Sequence, residues 1–184
     1  MDFVNTVDWR GRKEPDEYLF TYGDLLAWSV HAEVLTPAEA QRLERCVTKT
    51  TASAALACAL EFREAAYRIL SAVLAGRAPG SSDLQKVNSV IVDARAHSTL
   101  AHEAGKFTWA FADCANNPNL PLWLVSLSFA DLLASEQLPE VHRCGSEECG
   151  WLFLDVSKNH KRRWCSMEGC GNRAKARRHY AKTR

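Results

Sequence analysis

Residues Arg143–Arg184 read RCGSEECGWLFLDVSKNHKRRWCSMEGCGNRAKARRHYAKTR. Cys144 and Cys149 enclose four residues, fifteen residues follow, and Cys165 and Cys170 repeat the spacing. Two pairs of soft ligands joined by a segment of hairpin length suit Zn²⁺, whose closed four-thiolate site leaves no coordination position for water. Doubled pairs at such spacing in a chain with an odd total of seven cysteines favour a metal over disulfides. Cys46, Cys58 and Cys114 lack metal spacing and are expected to be small buried hydrophobes. His142, two residues before Cys144, His160, in the expected turn, and His179 are not counted as ligands.

Between the pairs, Trp151–Cys165 alternates around a polar centre at Ser157–Lys161, which predicts strand, turn and strand. After Cys170 the residues turn helical, with Asn172 as the expected cap. Cys170 would then sit where the helix dipole favours a thiolate. Knuckle, hairpin and helix, with the last ligand in the first turn, is the order of a treble-clef finger.

Charge divides the chain at the same place. Residues 1–140 hold 12 basic and 18 acidic side chains, whereas residues 141–184 hold 11 and 4. An acidic body with a basic appendage points to a polyanionic partner for the appendage. Lys158, Lys161, Arg162 and Arg163 cluster at the expected hairpin turn. On the following helix Arg173 and Arg177 share one face, and Lys175 and Arg178 an adjacent one. These eight side chains are the candidate DNA contacts, reaching phosphates and part of a major groove. Arg173 has two readings that stay open, a DNA contact or a clamp on knuckle carbonyls. Trp151, Trp164 and Tyr180 are expected to pack on the small finger core.

The body reads as helix. Thr21-Tyr22-Gly23-Asp24 opens one helix. Thr36-Pro37-Ala38-Glu39 opens another, with Pro37 at its first position and Glu39 reaching back to the cap. A long helix runs from about residue 51 to 75, ending at Gly76. Its polar stripe, Glu61, Glu64, Arg68 and Ser71, is narrow, which places it at the centre of a bundle. Leu60 and Phe62 are candidate core residues. Ser82 is the expected cap of a fourth helix, and a last one runs from Pro121 to about Ser135. Around Gly105 the alternation of Phe107, Trp109 and Phe111 predicts a β-hairpin. The fold class is therefore α+β, a mostly helical N-terminal domain (1–138) with a β-hairpin, followed by a zinc finger (139–184).

Cys170-Gly171-Asn172-Arg173 spells CGNR, and with the paired cysteines it resembles the CGNR zinc finger. Asp2-Phe3-Val4-Asn5-Thr6 looks like the opening of the ABATE domain that commonly precedes that finger. The chain thus resembles bacterial ABATE-domain proteins proposed as stress-induced transcription regulators. That resemblance implies an N-terminal domain binding an unidentified small molecule and a treble-clef finger binding DNA.

Asn5, Asp8, Trp9 and Arg10 crowd polar and aromatic groups into a short span. With Trp109 or His102 they could line a pocket, and Asn5, Trp9 and Arg10 are the candidate ligand contacts. The alternative is a capped N-terminal helix with a surface tryptophan. No nucleotide fingerprint, P-loop or nucleophile elbow is present, so an enzyme is not expected. The opening residues lack the basic and apolar regions of an export signal, and no apolar run is long enough to span a bilayer. A cytoplasmic regulator without membrane partners is the expectation, with a protein- or RNA-docking module or an enzyme sited in the N-terminal domain as alternatives. A single finger has too little surface for tight specific binding, which implies a homodimer or a partner subunit.

Overall fold

Alanine at 55, 59, 65 and 66, interleaved with Phe62, Ile69 and Leu70, gives the long helix one closely packed face. A computed structural model describes residues 1–103, 105–111 and 116–182 of the chain. Cys114 lies outside the described residues. The chain forms two compact units, one of Leu19–Leu133 and one of Met1–Tyr18 with Ala134–Arg184.

In the first unit, helix α3 (Lys49–Leu74) is the spine. Thr48 caps it by accepting a hydrogen bond from the Thr51 N–H, and Gly76 follows its end in the left-handed region. Helices α1 (Tyr22–His31), α4 (Ser81–Ala96) and α5 (Leu120–Leu133) pack on it, and α2 (Pro37–Cys46) packs on α1. Both α1 and α2 begin with a complete capping box, Thr21 with Asp24 and Thr36 with Glu39. Phe62 is buried and meets Phe129 edge to face at 5.7 Å. Trp123, also buried, donates its indole N–H to Asp93 at 2.7 Å. The β-hairpin is present as β3 (Thr99–Glu103) and β4 (Lys106–Ala110), with Leu100 opposite Trp109 and His102 opposite Phe107. Among its described residues the unit is therefore helical with one hairpin.

Several details differ from expectation. Helix α3 is not sheathed all round: Ala54, Ala57 and Cys58 are exposed, and Leu60 is only half-buried. Cys58 falls within the arc of Ala55 and Phe62 yet is exposed, so the N-terminal half of α3 is covered less fully than the half from Phe62 onward. Cys46, in the last turn of α2, is exposed as well, so neither cysteine is a core hydrophobe. Helix α4 starts two residues early, with Gly80 at the cap position in place of Ser82. Phe107 and Trp109 lie on the solvent face of the hairpin, Trp109 beneath the Arg95 guanidinium at 4.9 Å.

The second unit joins the first eighteen residues to the cysteine-rich tail. A 3-10 turn (Asp2–Asn5) buries Phe3 and Val4, and β1 (Val7–Asp8) pairs with β2 (Asp16–Glu17). Beyond a second 3-10 turn (Leu138–Glu140), β5 (Val141–Arg143) pairs antiparallel with β6 (Leu152–Leu154). A single π-turn (Met167–Gly171) leads directly into α6 (Asn172–Lys182).

Candidate metal centre and basic surface

The hairpin that presents the first cysteine pair is β5–β6, with Cys144 and Cys149 in its connection. This differs from the strand, turn and strand expected across Trp151–Cys165, where only β6 forms. Asp155 is the reason. Its buried carboxylate accepts the N–H groups of Ser157 (2.9 Å) and Arg162 (2.8 Å), which coils Asp155–Arg162 into a loop rather than a second strand. Ser157, through hydroxyl and N–H, and then the Arg162 N–H hold the Asp155 carboxyl at about 2. Cys170 is presented by the π-turn, and Cys165 stands just before the turn's cap, Ser166, which accepts the Gly169 N–H. Asn172, the expected cap, is already helical, because the chain enters α6 through that π-turn.

These devices bring Cys144, Cys149, Cys165 and Cys170 together, their sulfurs all within 4.8 Å of one another. Cys149 and Cys165, and Cys165 and Cys170, lie with sulfurs 3.7 Å apart. Four sulfurs about 2.3 Å from a tetrahedral zinc would be roughly 3.8 Å apart, so the set fits the ion. Three of the four cysteines are buried, and Trp151 and Trp164 pack against them. The sulfur contact with Cys165, then burial, push the Cys149 thiol well up, and burial raises that of Cys144. Thiolates this close repel one another and deprotonate together only around a cation. The Cys165 N–H points at the Cys144 sulfur (3.5 Å), and Arg173 Nη2 donates to the Cys170 sulfur (3.1 Å), which orients and partly offsets ligand charge.

The N-terminal residues build the other wall of this centre. Asn5 acts as one residue of an extra strand: its Nδ2 donates to the Leu152 carbonyl (2.8 Å), and its Oδ1 accepts the Leu152 N–H (3.0 Å). The Arg10 and Gly11 N–H groups donate to the carbonyls of Cys149 (3.2 Å) and Glu148 (3.1 Å). Only glycine fits at position 11, because a Cβ there would lie 2.0 Å from the Glu147 carbonyl oxygen. Trp151 donates its indole N–H to the Val7 carbonyl at 3.0 Å. Trp9 sits in the left-handed region (φ 53°), a costly conformation for a bulky side chain. It places the indole against the guanidinium groups of Arg12 (3.7 Å) and Arg173 (4.5 Å). Arg12 also bonds Glu148 at 3.0 Å, and Glu148 meets Arg177 at 3.5 Å.

Asn5, Trp9 and Arg10, taken in sequence as ligand contacts, are therefore engaged with the hairpin and the metal centre, in the unit that does not contain Trp109 and His102. The alternative of a capped helix is also replaced, by the 3-10 turn and strand β1. Nothing in the DFVNT stretch announces a partner 147 residues away.

Of the candidate DNA contacts, Lys158, Lys161, Arg163, Lys175, Arg177 and Arg178 are exposed on one unit. Arg162 is exposed too, but it is occupied. Its side chain donates to the carbonyls of Trp164 (2.9 Å) and Cys165 and lies over Phe153 at 4.6 Å. The carbonyl clamp considered for Arg173 is thus performed by Arg162, while Arg173 binds a ligand sulfur. Tyr180 is exposed rather than packed on the finger core, unlike Trp151 and Trp164.

A basic unit organised around four convergent cysteines, in a chain that also has a mainly helical unit, defines a metal-finger protein. Family models agree with that class. Residues 1–136 match the ABATE family, described as "Putative stress-induced transcription regulator", and residues 140–183 match the CGNR zinc finger. The chain belongs to the ABATE family and carries a CGNR zinc finger at its C-terminal end. No curated protein matches the sequence. Among the described residues, no helix is long and apolar enough to cross a membrane.

Proposed function

We propose that this protein is a zinc-dependent, DNA-binding transcription regulator of the stress response, acting in the cytoplasm. Zn²⁺ held by Cys144, Cys149, Cys165 and Cys170 is a structural ion that fixes the hairpin against α6 in a treble-clef arrangement, and catalysis has no part in this reading. The observation that carries the reading is the clustering of exposed cations on the finger, on the loop at 158–163 and on α6, within one metal-organised unit. Lys158, Lys161, Arg163, Lys175, Arg177 and Arg178 meet phosphates, and two copies supply the surface that one finger lacks.

Ligand sensing falls to the helical unit, where α1, α2 and α3 border a cleft of about 620 Å³ lined by Phe20, Leu26, Val47, Leu56 and Leu60. That volume lies in the range of small-molecule sites.

Phosphate contacts release counterions, so the test is duplex affinity across a salt series, read by fluorescence anisotropy with zinc bound. Lys161→Ala and Lys175→Ala should each flatten the log–log plot by up to about one unit. Arg162→Ala should lower stability instead. Absence of duplex binding at low salt by the zinc-loaded chain would overturn the reading. Binding of single-stranded RNA in its place would make the finger an RNA module.

A further inference from the structure

A cleft of about 280 Å³ opens between the first knuckle and α6, and four arginines line it: Arg163, Arg173, Arg177 and Arg178. Two of these already have a partner, Arg173 the Cys170 sulfur at 3.1 Å and Arg177 the exposed Glu148 carboxylate at 3.5 Å. Arg163 and Arg178 have no carboxylate partner among the described residues. Arg163 lies along Gly145, where an added Cβ would come within 3.1 Å of its side chain, and it faces the Trp164 ring at 5.1 Å. Arg178 bonds only the Ala174 carbonyl, at 3.4 Å. Among the described residues, Glu147 is the one carboxylate on the lining and makes no ion pair there. The Ser146 hydroxyl adds a neutral donor.

Four guanidinium groups thus meet one carboxylate across a concave wall, with two of them free to turn to a ligand. Guanidinium forks match the oxygens of phosphate bidentately. A phosphodiester presents two free oxygens and one charge. A phosphate monoester presents three acceptor oxygens and close to two charges at neutral pH. Two uncommitted arginines, backed by two more, suit the monoester better.

The geometry points to a phosphate-monoester site in this cleft, held chiefly by Arg163 and Arg178 with Arg173 and Arg177 behind them. Its ligand is the terminal phosphate of a nucleic-acid strand or of a free nucleotide, two sources of the same chemistry. This site does not depend on duplex binding by the wider basic surface, and it survives if that reading fails.

The experiment is isothermal titration calorimetry of the full zinc-loaded chain with inorganic phosphate, sulfate, thymidine and thymidine 5′-monophosphate. Duplexes with and without a 5′-phosphate form a further arm. Phosphate and the monophosphate should saturate one site, and thymidine should not bind. Arg163→Gln and Arg178→Gln should each weaken phosphate about tenfold, with melting temperature unchanged, and Arg178→Lys should fall between. Arg45→Gln, a charge control on α2, should leave the titration as it is. Phosphate affinity should rise from pH 5.5 to 7.5 as the second proton leaves, while sulfate affinity stays flat. A preference for the 5′-phosphorylated duplex names a strand end as the source, and a preference for the free monophosphate names a nucleotide; both support the site. No saturable heat with phosphate, or equal phosphate and sulfate affinity unmoved by the arginine variants, would overturn it.

Discussion

Replacing Asn5 by Ala removes one side chain from the N-terminal segment and two hydrogen bonds from a strand far away in sequence. The Leu152 backbone groups that Asn5 satisfies belong to a fully buried residue. Pairing in the hairpin does not reach them, since Leu152 stands opposite Arg143 while the neighbouring bond runs from the Cys144 N–H to the Trp151 carbonyl. Each buried group left unsatisfied costs about 1–3 kcal/mol, and water entering the vacated space recovers part, so about 2–4 kcal/mol in total is expected. Asn5→Asp keeps the acceptor for the Leu152 N–H but sets a carboxylate oxygen against the Leu152 carbonyl, so it should also destabilise, and less so in acid. Asn159→Ala, at an exposed loop position, should change stability by no more than about 0.5 kcal/mol. Urea titration followed by the indole N–H resonances of Trp9 and Trp151 reads the unit that contains Asn5, with that of Trp123 as the internal reference for the helical unit. If Asn5→Ala shifted the Trp123 transition, or left all three transitions where they are, the interlock of residues 1–18 with the hairpin would be wrong.

Phe62→Ala should cost about 3–5 kcal/mol by the usual large-to-small scale, whereas Leu60→Ala, at a half-buried position, should cost clearly less in the same thermal melts. Asp155 has a pH signature. Its folded value of about 2 lies below the ordinary 3.8, so its contribution is full above about pH 4 and is lost as pH falls from there toward 2. Asp155→Asn should therefore flatten the acid limb of the stability curve for the finger unit over that window.

Much of the architecture was legible because it is local. The capping boxes at Thr21 and Thr36, the stop at Gly76 and the hairpin around Gly105 each rest on a few neighbouring residues, and each formed where expected. The cysteine set was legible because ligand spacing is itself a local constraint. What could not be read was pairing over distance. That Asn5 completes the edge of β6, and that Trp9 lies against the arginine bonded to Cys170, depends on two segments about 150 residues apart being brought together. The loop after β6 was misread for a related reason. Alternating residues from Trp151 to Cys165 look like two strands until Asp155 is seen folding the chain onto its own N–H groups. Cys58 and Leu60 show the limit of periodicity on an alanine-rich helix, where small residues do not mark which side is covered.

Whether the metal site and residues 1–18 form one cooperative unit is tested most directly by amide hydrogen exchange before and after chelation of the purified, metal-loaded chain. Removing the ion should release protection in residues 141–171 and, together with it, in residues 3–18, while residues 55–70 of α3 keep theirs, because structural-metal binding energy is folding energy for the unit it organises. Unchanged protection in residues 3–18, with the cysteine-bearing segments exchanging freely, would contradict that unity.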